Sequence, residues 1–185
     1  MSVSIEEKRK CLAAAFRKID WSLQLAVPRQ YLSAAKDMYA APSVSLMGFP
    51  TRSISFGAKY QKQIIQKGYY SFGAESVVIS ALYMALMAGY ETILLAGIDA
   101  DWIKHTNVDN SNRVYRVYKH SYDPKGVMQY LDISYTQALL SAARYFAQLQ
   151  AIYEFASIVN TTIINVSQNS MVDIFPKKIF SDIAL

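Results

Sequence analysis

The sequence is poor in the residues that build disulfides and metal sites. It contains one cysteine, Cys11, and only 2 histidines, His105 and His120, in 185 residues. A single cysteine excludes an internal disulfide and a cysteine-ligated metal cluster, and two histidines leave little material for a histidine site. Reducing cytoplasm is therefore the predicted compartment. We expect neither a bound metal nor a cofactor.

Long apolar runs are also missing, although hydrophobic residues make up 52% of the chain. No segment approaches the ~18 consecutive apolar residues that a membrane span requires. The most apolar stretch, 77–100, is interrupted by Glu91. The apolar run 12–16 is too short for the core of a signal peptide, and no small-residue cleavage site follows it. These absences predict a soluble chain, and its length fits one domain over 1–185.

Dense clusters of one charge are absent as well. Lys and Arg number 19 against 14 Asp and Glu, which gives a formal net charge of +5. This balance suits an anionic partner such as a nucleotide, an acidic glycan or a membrane surface. Because no stripe of Lys and Arg marks a nucleic-acid face, we predict no nucleic-acid partner. Peripheral membrane association and a homo-oligomer remain open.

The first 70 residues contain few clear structural signals. Apolar spacing predicts helices over 5–19 and 58–67, the second stopped by Gly68. A short strand is predicted over 44–49, closed by Pro50. The stretch 21–41 is ambiguous, with Pro28 as the break that it contains.

The second half has a repeated pattern of helix and strand. A strongly apolar helix over 74–88, ended by Gly89, precedes a short apolar strand over 92–96. A long helix over 134–160, capped by Asp132 or Ser134, precedes a β-branched strand over 161–166. This alternation predicts an α/β fold that is Rossmann-like and doubly wound, with a mostly parallel sheet and helices on both faces.

Between these two units lies a polar, tyrosine-rich stretch, 101–132, which is predicted to be a long irregular loop. Loops of that length are usually functional or mobile. In open parallel sheets, ligands bind beyond the carboxyl ends of the strands. Asp99 follows the first strand, and Asn169 and Ser170 follow the second, while the long loop with His120 leaves from the same edge. We therefore expect these polar groups to converge on one rim.

Two segments carry a resemblance to a known family. Residues 76–99 look like the small-residue helix, glycine-aromatic turn, strand and Gly-Ile-Asp ending of the bacterial sialyltransferases and the related flagellin-modifying motility accessory factors. Residues 164–177 are similar to their Asn-x-Ser segment that ends in Asp-x-Phe-Pro-Lys. With the connecting helix, the resemblance makes 71–180 a glycosyltransferase-like part and leaves 1–70 as a divergent N-terminal part.

The resemblance implies a metal-independent, inverting glycosyltransferase. Such enzymes move a nonulosonic acid, of the sialic or pseudaminic type, from a CMP-activated donor to a glycan or glycoprotein acceptor in bacterial surface polysaccharide synthesis. As the CMP phosphate leaves, the reacting sugar resembles an oxocarbenium ion. The site therefore needs a base for the acceptor hydroxyl, donors for the departing phosphate and a nucleotide pocket.

The resemblance also assigns the site residues. Ser76 matches the hydroxyl residue at the start of the helix, where a helix N-terminus binds phosphate. Asn169 and Ser170 match the loop beneath the nucleotide. For catalysis we expect His120 as the base, because its segment resembles the family's histidine-aromatic element and an imidazole has a pKa near ~6.5. Asp99 is the second expected catalytic residue.

Tyrosine hydroxyls are the expected stabilisers of the leaving phosphate. Tyr118 and Tyr122 flank the histidine and are predicted to bind substrate, with Tyr115 as a further candidate. Each assigned polar residue also has a simpler interpretation. Ser76 is a natural helix cap, Asp99, Asn169 and Ser170 are natural turn residues, and His120 can be a solvated loop residue.

One part of the family pattern has no match here. The family opens with a strand and a Gly-Pro-Ser loop that cradles the nucleotide, whereas residues 41–43 are Ala-Pro-Ser. Either the nucleotide-binding half is missing or it has diverged. A non-catalytic, truncated fragment is therefore one alternative. A pterin diphosphokinase, which shares the Gly-x-Asp strand end and would use ATP, magnesium and a pterin, is the second.

Overall fold

The computed structural model describes residues 5–39, 41–53, 63–73, 75–120 and 123–183. Side chains are described for these residues except at positions 5, 8, 118–120 and 123–127. In this part of the chain, no helix is both long enough and apolar enough to cross a bilayer.

The N-terminal part begins with a helix and a small parallel pair of strands. Its elements are α1 (Ile5–Phe16), β1 (Leu23–Pro28), a 3-10 turn (Arg29–Tyr31), α2 (Leu32–Tyr39) and β2 (Val44–Phe49). β1 and β2 are parallel, with Leu23 opposite Val44 and Pro28 opposite Phe49. The predicted strand over 44–49 is confirmed. The stretch that was ambiguous in sequence contains β1 and α2, and β1 ends at Pro28, which has no N–H to continue a ladder.

Two of the predicted helices in this part differ in extent. The first helix ends at Phe16 rather than at residue 19. Of the helix predicted over 58–67, positions 58–62 lie outside the described residues, and 63–66 are helical.

From residue 77 onward, helices and strands alternate around an antiparallel insertion. In chain order the elements are α3 (Val77–Met87), β3 (Thr92–Leu95), β4 (Thr106–Val108), β5 (Val114–His120), β6 (Asp123–Leu131), α4 (Tyr135–Ile158) and β7 (Thr162–Asn165). β3 and β7 are parallel, with Thr92 opposite Thr162 and Leu95 opposite Asn165. Both helices and both strands predicted for this half are thus confirmed within a few residues at each end.

The prediction of an irregular loop over 101–132 is wrong. This stretch contains β4, β5 and β6, which form an antiparallel sheet in that order. β-Branched and aromatic residues, which are enriched in strands, make up most of the stretch from Val114 to Tyr118, with Arg116 between them. The abundance of polar residues therefore reflects an exposed sheet and not an absence of regular structure.

The chain is a mixed α/β protein with small sheets. Within the described residues, β1–β2 and β3–β7 form two parallel pairs and β4–β5–β6 forms the antiparallel sheet. A single parallel bridge between Asn165 and Lys177 places a further extended segment beside β7.

The core lies between the parallel strands and the two long helices. Ile79 of α3, Leu149 and Phe155 of α4, and Phe175 after β7 are each at most 1% exposed. Phe49 and Ile65, from the first part of the chain, pack in the same cluster. The side chains of α4 that face this core recur at three- and four-residue spacing, which is the apolar stripe expected of a helix that packs on a sheet: Ala138, Ala142, Tyr145, Leu149, Ile152, Phe155 and Ala156.

Serines begin both long helices. The Ser76 hydroxyl caps α3 by accepting the N–H of Val78 at 3.1 Å. Ser134 caps α4 in a capping box, in which its hydroxyl accepts the N–H of Gln137 and the Gln137 side chain accepts the N–H of Ser134. Of the two caps proposed for α4, Ser134 is therefore the observed one. These bonds satisfy N–H groups that have no partner within the helix.

Candidate functional site

A cleft opens at the carboxyl end of β3. Its volume is about 370 Å³, and it is lined by the start of α3, the loop after β3, Trp102, Arg116 of β5, and two residues of α4, Ser141 and Tyr145. This volume lies within the range of small-molecule sites. The location is the one where open α/β sheets bind ligands, beyond the carboxyl end of a strand.

Two of the residues assigned from sequence line this cleft together. Ser76 is at the entry to α3, and Asp99 is in the loop after β3. Ser76 is half-buried, and Asp99 is exposed. The helix N-terminus brings its partial positive charge to one wall, and the Asp99 carboxylate lies on another.

The loop that carries Asp99 has an unusual backbone that other residues hold in place. Gly97 has a φ of 70° and Ala100 a φ of 52°, both in the left-handed region. Such a conformation strains any residue with a Cβ, so Ala100 must be held by its surroundings. The main-chain oxygen of Asp99 accepts the N–H of Met171 at 2.7 Å, which ties this loop to the loop after β7.

Ser167 and Ser170 complete this connection between the two loops. The Ser167 hydroxyl accepts the N–H of Ile98 at 3.2 Å, and the Ser170 hydroxyl donates to the Ile98 carbonyl at 2.5 Å. The Lys177 ammonium donates to the Ser170 carbonyl at 2.6 Å. Ser170 is only 6% exposed, so its hydroxyl supports the loop of Asp99 from beneath. Asn169, the other residue assigned to this loop, is exposed.

Sequence reasoning missed the charged group at the start of α3. Glu75 forms an ion pair with Arg144 of α4 and accepts the hydroxyl of Ser141 at 3.2 Å. Its N–H donates to the Gln148 side-chain oxygen at 3.3 Å. Glu75 therefore fixes the first turn of α3 against α4, and its negative charge is neutralised. In the sequence, Glu75 is a polar residue directly before a helix cap, and this pattern is too common to indicate its role.

Sequence reasoning also missed an arginine stacked on an indole at the cleft. The Arg116 guanidinium carbon lies 4.3 Å from the Trp102 ring centroid, and its Nε donates to Thr106 Oγ1 at 2.9 Å. Thr106 in turn donates to the Trp102 carbonyl at 2.9 Å. Burial raises the pKa of the neighbouring Tyr145 phenol above its ordinary value, so this hydroxyl stays protonated near neutral pH. Only the antiparallel sheet brings Arg116 here, so no local motif could have indicated it.

Of the remaining assigned residues, Tyr118 and His120 lie on β5. His120 is the last residue of β5, four positions beyond Arg116, which corresponds to roughly 13 Å along a strand. Its side chain and that of Tyr118 lie outside the described part, and Tyr122 lies entirely outside it. Their roles stay predictions. Tyr115 packs against Tyr130, with ring centroids 6.1 Å apart.

Among the described residues, no group of three or more His, Cys, Asp or Glu side chains is arranged to hold a metal ion. No family model, curated protein or solved structure matches the chain. The assignment of function therefore depends on the cleft and on the resemblance of 76–99 and 164–177.

Proposed function

We propose that this chain is a glycosyltransferase that moves a sialic- or pseudaminic-type nonulosonic acid from a CMP-activated donor to a glycan or glycoprotein acceptor. The observation that carries the proposal is the presence of Ser76 and Asp99 on the walls of one cleft. These residues come from the two ends of the segment that resembles the bacterial sialyltransferases. Because a helix that runs antiparallel to the strand after it begins at the edge where that strand ends, this arrangement fits a ligand site, and the identity of the ligand rests on the resemblance.

The proposal includes a doubly wound, Rossmann-like arrangement of the second half. The parallel pairing of β3 with β7 supports it, as does the parallel bridge on the other side of β7 at Lys177. In this arrangement β7 is an inner strand, and the loops after β3 and β7 bound the ligand site. Such sheets bind nucleotides at this edge.

In the proposed reaction, the acceptor hydroxyl oxygen forms a bond to the anomeric carbon while the bond from that carbon to the CMP phosphate breaks. His120 takes the hydroxyl proton, with Asp99 as the second catalytic residue. The Ser76 oxygen accepts from the helix and still has its own proton to donate to the departing phosphate. Asn169, Tyr118 and Tyr122 contribute to donor binding, and Ser170 contributes by holding the loop of Asp99.

Nucleotide binding provides the first test. CMP at about 100 times its Kd should stabilise the chain by about 2.7 kcal/mol, a rise in Tm of roughly 5–10 °C, and it should do so without magnesium. CDP, UDP and ATP, each with and without magnesium, are the comparison ligands. Stabilisation by ATP with magnesium alone would favour the pterin diphosphokinase. Stabilisation by no nucleotide would contradict the proposal.

The two helix-capping serines give a matched pair of variants. Ser76→Ala and Ser134→Ala each remove a cap, which costs about 1 kcal/mol of stability. Only Ser76 lines the cleft. Ser76→Ala should therefore weaken CMP binding as well, by about tenfold for one lost hydrogen bond to a charged group, whereas Ser134→Ala should leave binding unchanged. Equal CMP affinity in the two variants would remove Ser76 from the site.

Turnover of CMP-N-acetylneuraminate with a range of acceptors provides the second test, because the pH dependence of kcat distinguishes a histidine base at His120 from a carboxylate in that role. A histidine base gives a rate that falls below pH ~6.5, and a carboxylate base gives one that falls only below pH ~4. His120→Gln should abolish the fall in rate below pH ~6.5. Asp101→Asn, which changes a residue outside the cleft, should preserve that fall. A rate unaffected by His120→Gln and by Asp99→Asn would contradict both catalytic assignments.

A further inference from the structure

Two arginines near the start of β5 have similar aromatic contacts but different charge partners. The guanidinium carbon of Arg113 lies 4.3 Å from the Tyr130 ring centroid, and that of Arg116 lies 4.3 Å from the Trp102 ring centroid. Arg113 forms an ion pair with Asp109, with Nη2 and Oδ2 2.9 Å apart. Arg116 donates to the neutral Thr106 hydroxyl, and among the described residues no carboxylate forms an ion pair with it.

The difference in charge partners is important because Arg116 is partly removed from water. Arg116 is half-buried, lines the cleft, and has one face covered by Trp102. A cation that is partly removed from water without a counter-charge is destabilised, so proteins pair buried charges. The Nε–H group is used by Thr106, and the two terminal nitrogens carry the four other N–H donors. Among the described residues, no acceptor forms a hydrogen bond with these terminal nitrogens, so the protein orients the guanidinium and leaves this part of its binding capacity for a ligand.

We infer that Arg116 binds the anionic group of the ligand in the cleft, a phosphate or a carboxylate. The planar guanidinium matches either group with two parallel hydrogen bonds. Asp99 lines the same cleft without forming an ion pair with Arg116. A ligand with an anionic end at Arg116 and a hydroxyl end at Asp99 would be complementary to both. This inference rests on the proposed function only for the identity of the anion, which is then the CMP phosphate or the carboxylate of the sugar.

Trp102 provides a local signal for binding. The chain has 2 tryptophans, and Trp21 is 59% exposed, so Trp21→Phe leaves Trp102 as the single indole. An anion that binds Arg116 should change Trp102 emission because the guanidinium lies on that ring. The probes are CMP, cytidine, inorganic phosphate and N-acetylneuraminate. If Arg116 binds a phosphate, CMP and inorganic phosphate should change the Trp102 emission and cytidine should not. If Arg116 binds a carboxylate, N-acetylneuraminate should change the emission.

Arg113 provides the matched control. In the Trp21→Phe chain, Arg116→Met should weaken binding of the responding anion by between about ten- and a hundredfold, the range for a hydrogen bond to a charged group. Arg116→Lys should recover part of the affinity, because it keeps the charge and loses the bidentate geometry. Arg113→Met, which removes an arginine with the same aromatic contact outside the cleft, should leave the affinity unchanged.

The outcomes separate this inference from the proposed function. Folded Arg116→Met with wild-type affinity for CMP, inorganic phosphate and N-acetylneuraminate would overturn the inference and leave the glycosyltransferase standing. Phosphate binding that depends on Arg116, without CMP binding, would support the inference and contradict the glycosyltransferase. No response to any anion, or equal losses of affinity in Arg116→Met and Arg113→Met, would also overturn the inference.

If Arg116→Met does not fold, the Arg116 Nε–H resonance of the unsubstituted chain is measured instead. An unchanged resonance at a saturating concentration of the anion would overturn the inference.

Discussion

The parallel layer and the antiparallel sheet of this chain are ordered by different interactions. In the parallel layer, Leu149 and Phe155 are 0% exposed and pack in one apolar cluster. In the antiparallel sheet, Met128 and Tyr130 are 56% and 47% exposed. Turn hydrogen bonds at Asp109 and arginine stacking on aromatic rings act there. Hydrophobic burial thus stabilises the scaffold, whereas polar and aromatic contacts position the one strand that reaches the cleft.

The largest expected effect tests whether hydrophobic burial stabilises the parallel layer. Phe155→Ala should lower the free energy of unfolding by about 3–5 kcal/mol, because it removes a fully buried ring and leaves a cavity. The ring lies 5.3 Å from that of Phe72, so part of the loss is an aromatic contact. Urea unfolding measures the change. Met128→Ala in the antiparallel sheet should alter stability by no more than about 0.5 kcal/mol, and similar losses in the two variants would contradict the comparison.

An intermediate effect is expected at a polar residue inside the apolar layer. Asn165 is 0% exposed, and its side chain donates to the Val172 carbonyl at 3.2 Å and accepts the N–H of Ser167 at 2.9 Å. Asn165→Ala leaves two buried backbone groups unpaired and should cost about 1–3 kcal/mol. Thermal unfolding measures it, with the exposed Gln168→Ala as the control. Equal stability of the two variants would show that these two hydrogen bonds of Asn165 contribute nothing to the stability of the layer.

The smallest expected effect belongs to the antiparallel sheet and depends on pH. The N–H of Arg113 is the main cause that lowers the pKa of the Asp109 carboxyl below its ordinary value of 3.8, followed by the Ser111 N–H and the Arg113 side chain. A lowered pKa in the folded state stabilises the fold above the ordinary value, and this contribution is lost as the pH falls through the lower value. Asp109→Asn should therefore lower Tm slightly at pH 7 and leave it nearly unchanged at pH 2. A difference in Tm that is the same at both pH values would contradict this account.

The helices and strands of the parallel layer were predictable because local signals agreed with the tertiary structure. The apolar run before Gly89, the serine caps and the β-branched residues before Asn165 each indicate one structure, and each is observed. The antiparallel sheet was missed because its strands are half exposed and their apolar residues stand in pairs instead of alternating strictly, so the stretch resembles a polar loop. The pairing of the strands into small sheets depends on distant residues that no local pattern reveals.

The cleft was predictable only where it follows from the strand order. Asp99 was placed correctly at the cleft because a residue directly after a strand lies at the sheet edge. Arg116 and Trp102 were missed because their contact requires a strand pairing that was not predicted. Ser170 was identified as important, but its buried hydroxyl bonds the backbone beneath Asp99, a distinction that depends on exposure.

The parallel register of β3 and β7 has a consequence for how the chain folds. The Thr161 hydroxyl donates to the Tyr90 carbonyl across 71 positions, and the Ser170 hydroxyl reaches Ile98 across 72. Contacts of such long sequence separation require loop closure before they contribute energy, which slows folding. The β5–β6 hairpin and α4 are local structures that form on a faster timescale. We therefore expect the loop of Asp99 to reach its final geometry late, after α4 and the β5–β6 hairpin between β3 and β7 have formed.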